Sequence, residues 1–315
     1  MPPARRAFLS GLIDYAGLFP PAALDLEPAL DTYRSALGGP DAWMLERFIL
    51  PAARLDELAA RVGASAPSDP LRLSVLGVPP RDGESWADAA ARTVAIARAF
   101  DAEHDGRVVS DRFEIRLPTD AAALPDADTL ADLDGELQGA SPTARVALEA
   151  PFRTHPDTVE PAVEAIAEAN GRAGRPAFAL KLRCGGVTAD LVPTVDELAT
   201  ALSAAIRAGV PFKATAGLHH PVRMYREEVE AEMHGFVNVF GGATLARLHG
   251  LGADALAEIL ADTDPASFRL ADELGWNRLS ATAAEVADAR SQLALSFGSC
   301  SFDEPREDLR ALGWL

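Results

Sequence analysis

The chain has 315 residues, 48 % of them apolar and 24 % charged, the balance of a globular protein with a large core. Acidic residues outnumber basic ones by 47 to 29, and the resulting charge of −18 opposes binding to nucleic acid or to an anionic membrane surface. Two cysteines, Cys184 and Cys300, are too few for a disulfide framework, and no apolar run reaches the roughly 20 residues of a membrane span, so a reducing, cytoplasmic setting is expected.

The N-terminal Arg5-Arg6-Ala7-Phe8-Leu9-Ser10 has the look of a twin-arginine export signal. Its apolar stretch ends at Asp14 with no clear cleavage site after it, so export is not expected. From there the chain alternates short apolar runs with longer Ala- and Leu-rich stretches. Eight runs read as strands: 12–17, 45–50, 71–78, 113–117, 145–150, 177–183, 210–216 and 236–240. Helical patterns cover 56–62, 85–100, 126–137, 156–170 and 195–208, and a short seventh crossover spans 221–233. Eight strand–helix units predict a parallel sheet closed into a (β/α)8 TIM barrel over residues 1–267. An open doubly wound sheet is the alternative, but no G-x-G-x-x-G follows the first strand. Residues 268–315 read as a C-terminal extension packed on the barrel within the same domain. A hairpin is expected at 268–279, then a helix started by the capping box Thr282-Ala283-Ala284-Glu285. The small-residue stretch Ser296–Phe302 reads as a loop, a packed connection or a cover over the site, followed by a last helix opened by Ser301-Phe302-Asp303-Glu304.

Strands of a parallel barrel bury both faces and should be nearly all apolar, yet several here alternate. Glu114 and Arg116 share one face of the fourth strand. Glu149 lies on the fifth, Lys181 and Arg183 on the sixth, Lys213 and Thr215 on the seventh, and Asn238 interrupts the eighth. The apolar set must meet the outer helices, so the charged set is expected to point into the barrel, where it has to pair or meet a ligand. An ion-pair network plugging the barrel satisfies that demand as well as an active site does. With Arg47, Arg116 and Arg183 would make a locally cationic pocket suited to an anionic substrate.

Of the 29 basic residues only Lys181 and Lys213 are lysines. Arginine replaces lysine almost everywhere else in the chain, and it cannot replace an amine that must lose a proton, attack a carbonyl or form an imine. Two ammoniums in one pocket should repel and yield one reactive free amine.

Lys181-Leu182-Arg183-Cys184-Gly185-Gly186 and Lys213-Ala214-Thr215-Ala216-Gly217-Leu218 resemble the sixth- and seventh-strand motifs of deoxyribose-phosphate aldolase, a class I aldolase barrel. The resemblance covers some 40 residues. It implies that Lys181 forms the imine and that Lys213 depresses its pKa, with no cofactor. Leu182, Arg183 and Cys184 stand where that family has small polar residues, and His219-His220-Pro221 replaces its glycine–arginine phosphate contact.

Other candidates surround the lysines. Asp14 and Tyr15 end the first strand, as acid, base or donor, or as a turn carboxylate and a packed ring. Of His219 and His220 one is expected to face the site as a proton shuttle or anion contact. Cys184 is a nucleophile beside His219 or an inert buried thiol. Gly241 and Gly242 could present amides to a phosphate. The combined expectation is a lyase or aldolase acting through a lysine imine on a small anionic carbonyl compound. Catalysis would fall to Lys181, Lys213, Glu149, His219 and Asp14, and substrate binding to Arg116, Arg183, Glu114, Thr215, Asn238, His220, Tyr15, Gly241 and Gly242. A metal-dependent hydrolase or isomerase using His219, Glu149 and Asp14, and a non-catalytic ligand-binding barrel, are the alternatives. The oligomeric state is left open, self-association included.

Overall fold

The computed structural model describes residues 1–64 and 69–315. Eight parallel strands close into a barrel: β1 (Ile13–Tyr15), β2 (Leu45–Pro51), β3 (Leu71–Leu76), β4 (Val108–Arg116), β5 (Arg145–Glu149), β6 (Phe178–Arg183), β7 (Phe212–Thr215) and, last in the chain, β13 (Ala294–Ser299). β13 pairs with β7 on one side and β1 on the other, and β1 to β7 follow one another around the ring. The fold is a TIM barrel. Helices alternate with the strands outside it: α1 (Pro3–Leu9), α2 (Leu26–Leu37), α3 (Leu55–Ala59), α4 (Trp86–Glu103), α5 (Ala127–Ala140), α6 (Val159–Ala173) and α7 (Val195–Ala208). Each covers the apolar faces of the strands beside it. In α7, for example, Leu198, Ala201, Leu202 and Ala205 recur at helical spacing and are all buried.

The closing strand is not the run expected. Residues 236–240 carry no strand. Val237–Gly241 is one turn of π-helix running into α8 (Gly242–His249), and every residue of the turn is buried. A short, largely apolar run buried on every side suits a helix as well as a strand, and the aromatic rings decide it here. Phe236 and Phe240, four residues apart on one helical face, both pack on Phe297 of β13, the first stacked at 5.2 Å and the second tilted at 5.9 Å between centroids. Phe240 also meets Phe212 of β7 at 5.1 Å.

The boundary expected at residue 267 is therefore not a boundary of the barrel, because β13 and its preceding helix α10 (Ala283–Gln292) belong to the ring. The seventh crossover at 221–233 is a two-stranded hairpin, β8 (Met224–Arg226) with β9 (Ala231–Met233), rather than a helix. After α8 come α9 (Ala253–Ala261) and a three-stranded antiparallel sheet of β10 (Phe268–Leu270), β11 (Glu273–Trp276) and β12 (Leu279–Thr282). The Thr282–Glu285 capping box starts α10 as expected. The chain ends in α11 (Asp303–Ala311), whose Glu304 amide donates to Ser301 Oγ at 3.1 Å. No helix among the described residues is long and apolar enough to cross a membrane.

Candidate active site

The charged faces of the strands converge inside the barrel. Register places Glu149 of β5, Lys181 of β6 and Lys213 of β7 side by side, and the period-two alternation turns all three inward while Leu148, Leu180, Leu182 and Ala214 face the helices. Lys181 Nζ is held between two carboxylates, with Glu114 Oε2 at 2.9 Å and Glu149 Oε2 in closer contact. Lys213 Nζ contacts Asp14 Oδ2, lies 3.4 Å from Glu114 Oε1 and donates to Ser296 Oγ at 3.3 Å. Ser74 Oγ donates to Glu114 Oε1 at 2.6 Å, Ser296 Oγ to Asp14 Oδ2 at 2.7 Å, and the Arg47 amide to Asp14 Oδ1 at 3.1 Å. The result is one chain of alternating charge, Glu149–Lys181–Glu114–Lys213–Asp14, with every member except Glu149 almost wholly buried.

Burial opposes each charge, and the partners outweigh it. The ammoniums of Lys181 and Lys213 and the Ser74 hydroxyl bring Glu114 down to about 2. Burial likewise works against ionised Glu149, but Lys181, helped by Arg116 and Arg183, draws it below the ordinary carboxylate value. For Lys181, burial disfavours the ammonium, yet Glu114 and Glu149 lift its pKa above that of a free lysine. Mutual repulsion between the lysines does not produce a free amine at this position, because the Glu114 carboxylate lies between them. Lys181 rests as an ammonium.

Above this network opens a cavity of about 740 Å³, with Lys181, Glu114 and Glu149 at its floor. Arg183, two residues beyond Lys181 on the same inward face, lines it and makes no ion pair among the described residues. Arg116 stands at the mouth, its side chain 80 % exposed and 3.8 Å from Glu149. Thr215 and His219 also line the cavity. His219 Nδ1 meets Glu304 Oε2 of α11 at 2.9 Å, and this contact is the main reason that Glu304 is drawn down to about 2. The walls are largely apolar, from Phe19, Pro20 and Pro21 after β1, Val78, Pro79 and Pro80 after β3, Trp86 of α4, Leu117 and Pro118 after β4, and Val187 and Leu191 after β6. Trp86 is fixed by its indole N–H, which donates to Arg116 O at 2.8 Å.

The glycines behind the two lysine strands serve packing. Gly217 has φ +75°, and a Cβ there would lie 2.8 Å from Gly185 Cα, so the two loops can cross only as glycines. Five expected site residues stand elsewhere. Tyr15 faces outward, packed against Tyr33 and Phe48 at 6.2 and 6.0 Å between centroids. Asn238 lies on the π-turn rather than on a strand, where it ties Ile259 O, Asp262 O and the Arg223 amide together. Gly241 and Gly242 sit inside continuous helix against Leu274 and Ile259, with no free amides to offer an anion. His220 turns toward Asp308 and Arg226, so only one of the paired histidines faces the cavity. Arg47 is spent on Asp111 at 2.6 Å, away from the pocket. Cys184 is fully buried, which pushes its thiol up to about 12 and makes it inert. Asp14, Glu149 and His219, the alternative metal ligands, are each taken by a different partner. No group of three or more His, Cys, Asp or Glu among the described residues is placed to hold a metal ion.

Sequence reasoning missed Ser74, Ser296 and Glu304, and also Cys300, which borders the cavity with its thiol raised by burial. Ser74 could have been found as a lone hydroxyl in the apolar run Leu73-Ser74-Val75. The others lie in or after a strand that reads as a loop.

No family model and no curated protein matches the chain. Among solved structures, one described as a "putative lyase/mutase" from Burkholderia cenocepacia J2315 is similar over 81 % of this chain and 77 % of its own, with 15 % identity and a TM-score of 0.37.

Proposed function

We propose that the barrel is a lyase of the aldolase type, working through an imine on Lys181 with a carbonyl compound that carries an anionic group. The observation that carries this reading is the position of Lys181 Nζ, at the floor of an open cavity between Glu114 and Glu149, which both line it, with Glu149 the less buried of the two.

An ammonium cannot attack a carbonyl, so the first step is a proton transfer from Lys181 to Glu149 as the substrate displaces cavity water. The freed amine adds to the carbonyl carbon to give a carbinolamine. Glu149 returns its proton to the hydroxyl, which leaves as water, and a protonated imine forms. That cation draws electrons from the bond between the α and β carbons, which breaks to an enamine as a β-hydroxyl loses its proton and becomes a carbonyl or, in reverse, forms from one. Glu114 keeps Lys181 aligned, Lys213 with Asp14 holds Glu114 in place, and Arg183 engages the anionic group. His219, backed by Glu304, moves protons nearer the mouth.

One observation favours a second reading, a ligand-binding barrel without chemistry: the resting charge of Lys181 is stabilised rather than suppressed. Reduction with borohydride in the presence of small aldehydes, 2-oxo acids and longer oxo acids, followed by intact mass and peptide mapping, separates the two. An adduct on Lys181 that disappears in Lys181→Arg is expected. Ligand binding that survives Lys181→Arg, with no adduct from any carbonyl compound, would establish the binding barrel instead.

A further inference from the structure

Arg183 and Lys181 stand on the same face of β6 two residues apart, and a strand rise of about 3.3 Å per residue separates their stems by roughly 6–7 Å along the strand. The two groups differ in their neighbours. Around Lys181 Nζ the nearest charges are the carboxylates of Glu114 and Glu149. Around Arg183 no carboxylate makes an ion pair among the described residues, and one guanidinium nitrogen reaches only the Gly185 carbonyl, at 3.4 Å. An anion bonded directly to the reacting carbonyl, as in a 2-oxo acid, would place a further negative charge against two carboxylates and leave Arg183 unmatched. The cavity of about 740 Å³ exceeds the needs of a three- or four-carbon substrate, and its walls of proline, Trp86, Leu117 and Leu191 offer few polar partners. Sugar-like hydroxyls would lose hydrogen bonds to water there without replacement.

We propose that the substrate is an amphipathic oxo acid whose carboxylate or phosphate lies several bonds from the reacting carbonyl and meets Arg183, while an aryl or branched alkyl body lies against the proline and Trp86 walls. Arg183 is then the residue that sets specificity within the imine reading, on which this inference rests. In the cleavage direction Lys181 attacks the remote carbonyl and the bond between its α carbon and a hydroxyl-bearing β carbon breaks as that hydroxyl gives up its proton. The β fragment leaves as an aldehyde or ketone, and the enamine left on Lys181 is protonated at the α carbon and released by hydrolysis of the imine.

The test is the initial rate of borohydride trapping on Lys181 with pyruvate, phenylpyruvate, 4-oxopentanoate, 4-oxo-5-phenylpentanoate and the neutral ketone 2-pentanone. The expected order places 4-oxopentanoate about tenfold above both pyruvate and 2-pentanone, as one well-placed ion pair would give, with the phenyl compound higher again. In Arg183→Gln, checked for native circular dichroism, 4-oxopentanoate should fall to the level of 2-pentanone. Equal or faster trapping of the 2-oxo acids overturns the inference and leaves the imine standing. A phenyl compound no better than its methyl parent removes the apolar body from it. If no compound is trapped on Lys181, the imine reading falls and takes this one with it.

Discussion

Glu114 binds both lysines of the protein at once, with Oε2 at 2.9 Å from Lys181 Nζ and Oε1 at 3.4 Å from Lys213 Nζ. The two ammoniums are neighbours in register across β6 and β7, and the carboxylate that separates them comes from β4, two strands away from β6. Desolvation alone would push Lys181 toward the free amine, and Glu114, with Glu149, reverses it.

If that bridge retains the proton, Glu114→Gln should move the titration of Lys181 to lower pH. The measurement is the pH dependence of reductive methylation at Lys181, followed by mass spectrometry. Labelling of the variant should begin at lower pH and run faster near neutrality. A profile that does not move, or moves upward, would mean that Glu149 alone holds the charge.

The two lysines should differ in what they do for stability. Lys213 is 2 % exposed, and its removal leaves Asp14 as a buried charge without a counterion and Glu114 with Lys181 alone. Lys213→Met is expected to cost about 3–5 kcal/mol in denaturant unfolding, the range for breaking a buried pair. Lys181→Met should cost less, because cavity water can reach the Glu149 carboxylate that it abandons. Equal losses, or the reverse order, would contradict the placement of Lys213 beneath the cavity floor.

Asn238 provides a structural control away from the pocket. Its side-chain amide donates to Ile259 O and Asp262 O, each at 2.8 Å, and its oxygen accepts the Arg223 amide at 2.8 Å. Asn238→Ala leaves those groups without partners in a buried turn, and a loss on the order of 3 kcal/mol is expected. Trapping of carbonyl compounds on Lys181 at a temperature where the variant is folded should be unchanged. A specific loss of trapping would return Asn238 to the site.

Most of the barrel was legible because seven of its strands are bounded apolar runs separated by helical periodicity. The inward charges of Glu114, Glu149, Lys181 and Lys213 were legible as breaks in that apolar rule. The eighth strand was not. β13 reads Ala-Leu-Ser-Phe-Gly-Ser because its inward positions serve the network and the cavity: Ser296 bonds Asp14, and a Cβ on Gly298 would come within 2.9 Å of Ile49 Cδ1. A strand shaped by such neighbours loses the hydrophobic pattern by which strands are recognised. Phe236–Phe240 reads as a strand in its stead because a uniformly buried run carries no period. The same error made a strand residue of Asn238 and turn glycines of Gly241 and Gly242. Tyr15 failed for a different reason. The alternation that turns Asp14 inward necessarily turns Tyr15 outward, so a pair of adjacent residues could supply only one group to the barrel interior.

The pH dependence of stability should fall in two stages, because His234 and the buried carboxylates paired with cations, Glu114 among them, have depressed pKa values with well-separated starting points. Burial holds His234 neutral and brings it down to about 4; its Nε2–H faces the Pro193 carbonyl at 2.9 Å and Arg223 stands beside Nδ1. The unfolded chain binds this proton near pH 6.5 while the folded protein resists it, so stability present above pH 6.5 is lost as pH falls toward 4. Glu114 follows. Its folded value of about 2 lies below the ordinary 4.5, so the stability it contributes above 4.5 is lost between there and 2. Urea midpoints measured from pH 8 to pH 3 should therefore begin to drop near 6.5 and steepen below 4.5. In His234→Gln the first decline should vanish while the second persists, since the Gln amide can still donate to Pro193 and carries no proton to resist. A wild-type curve that stays flat down to pH 4.5 would show that His234 accepts its proton in the folded protein, with Arg223 moving aside to let it.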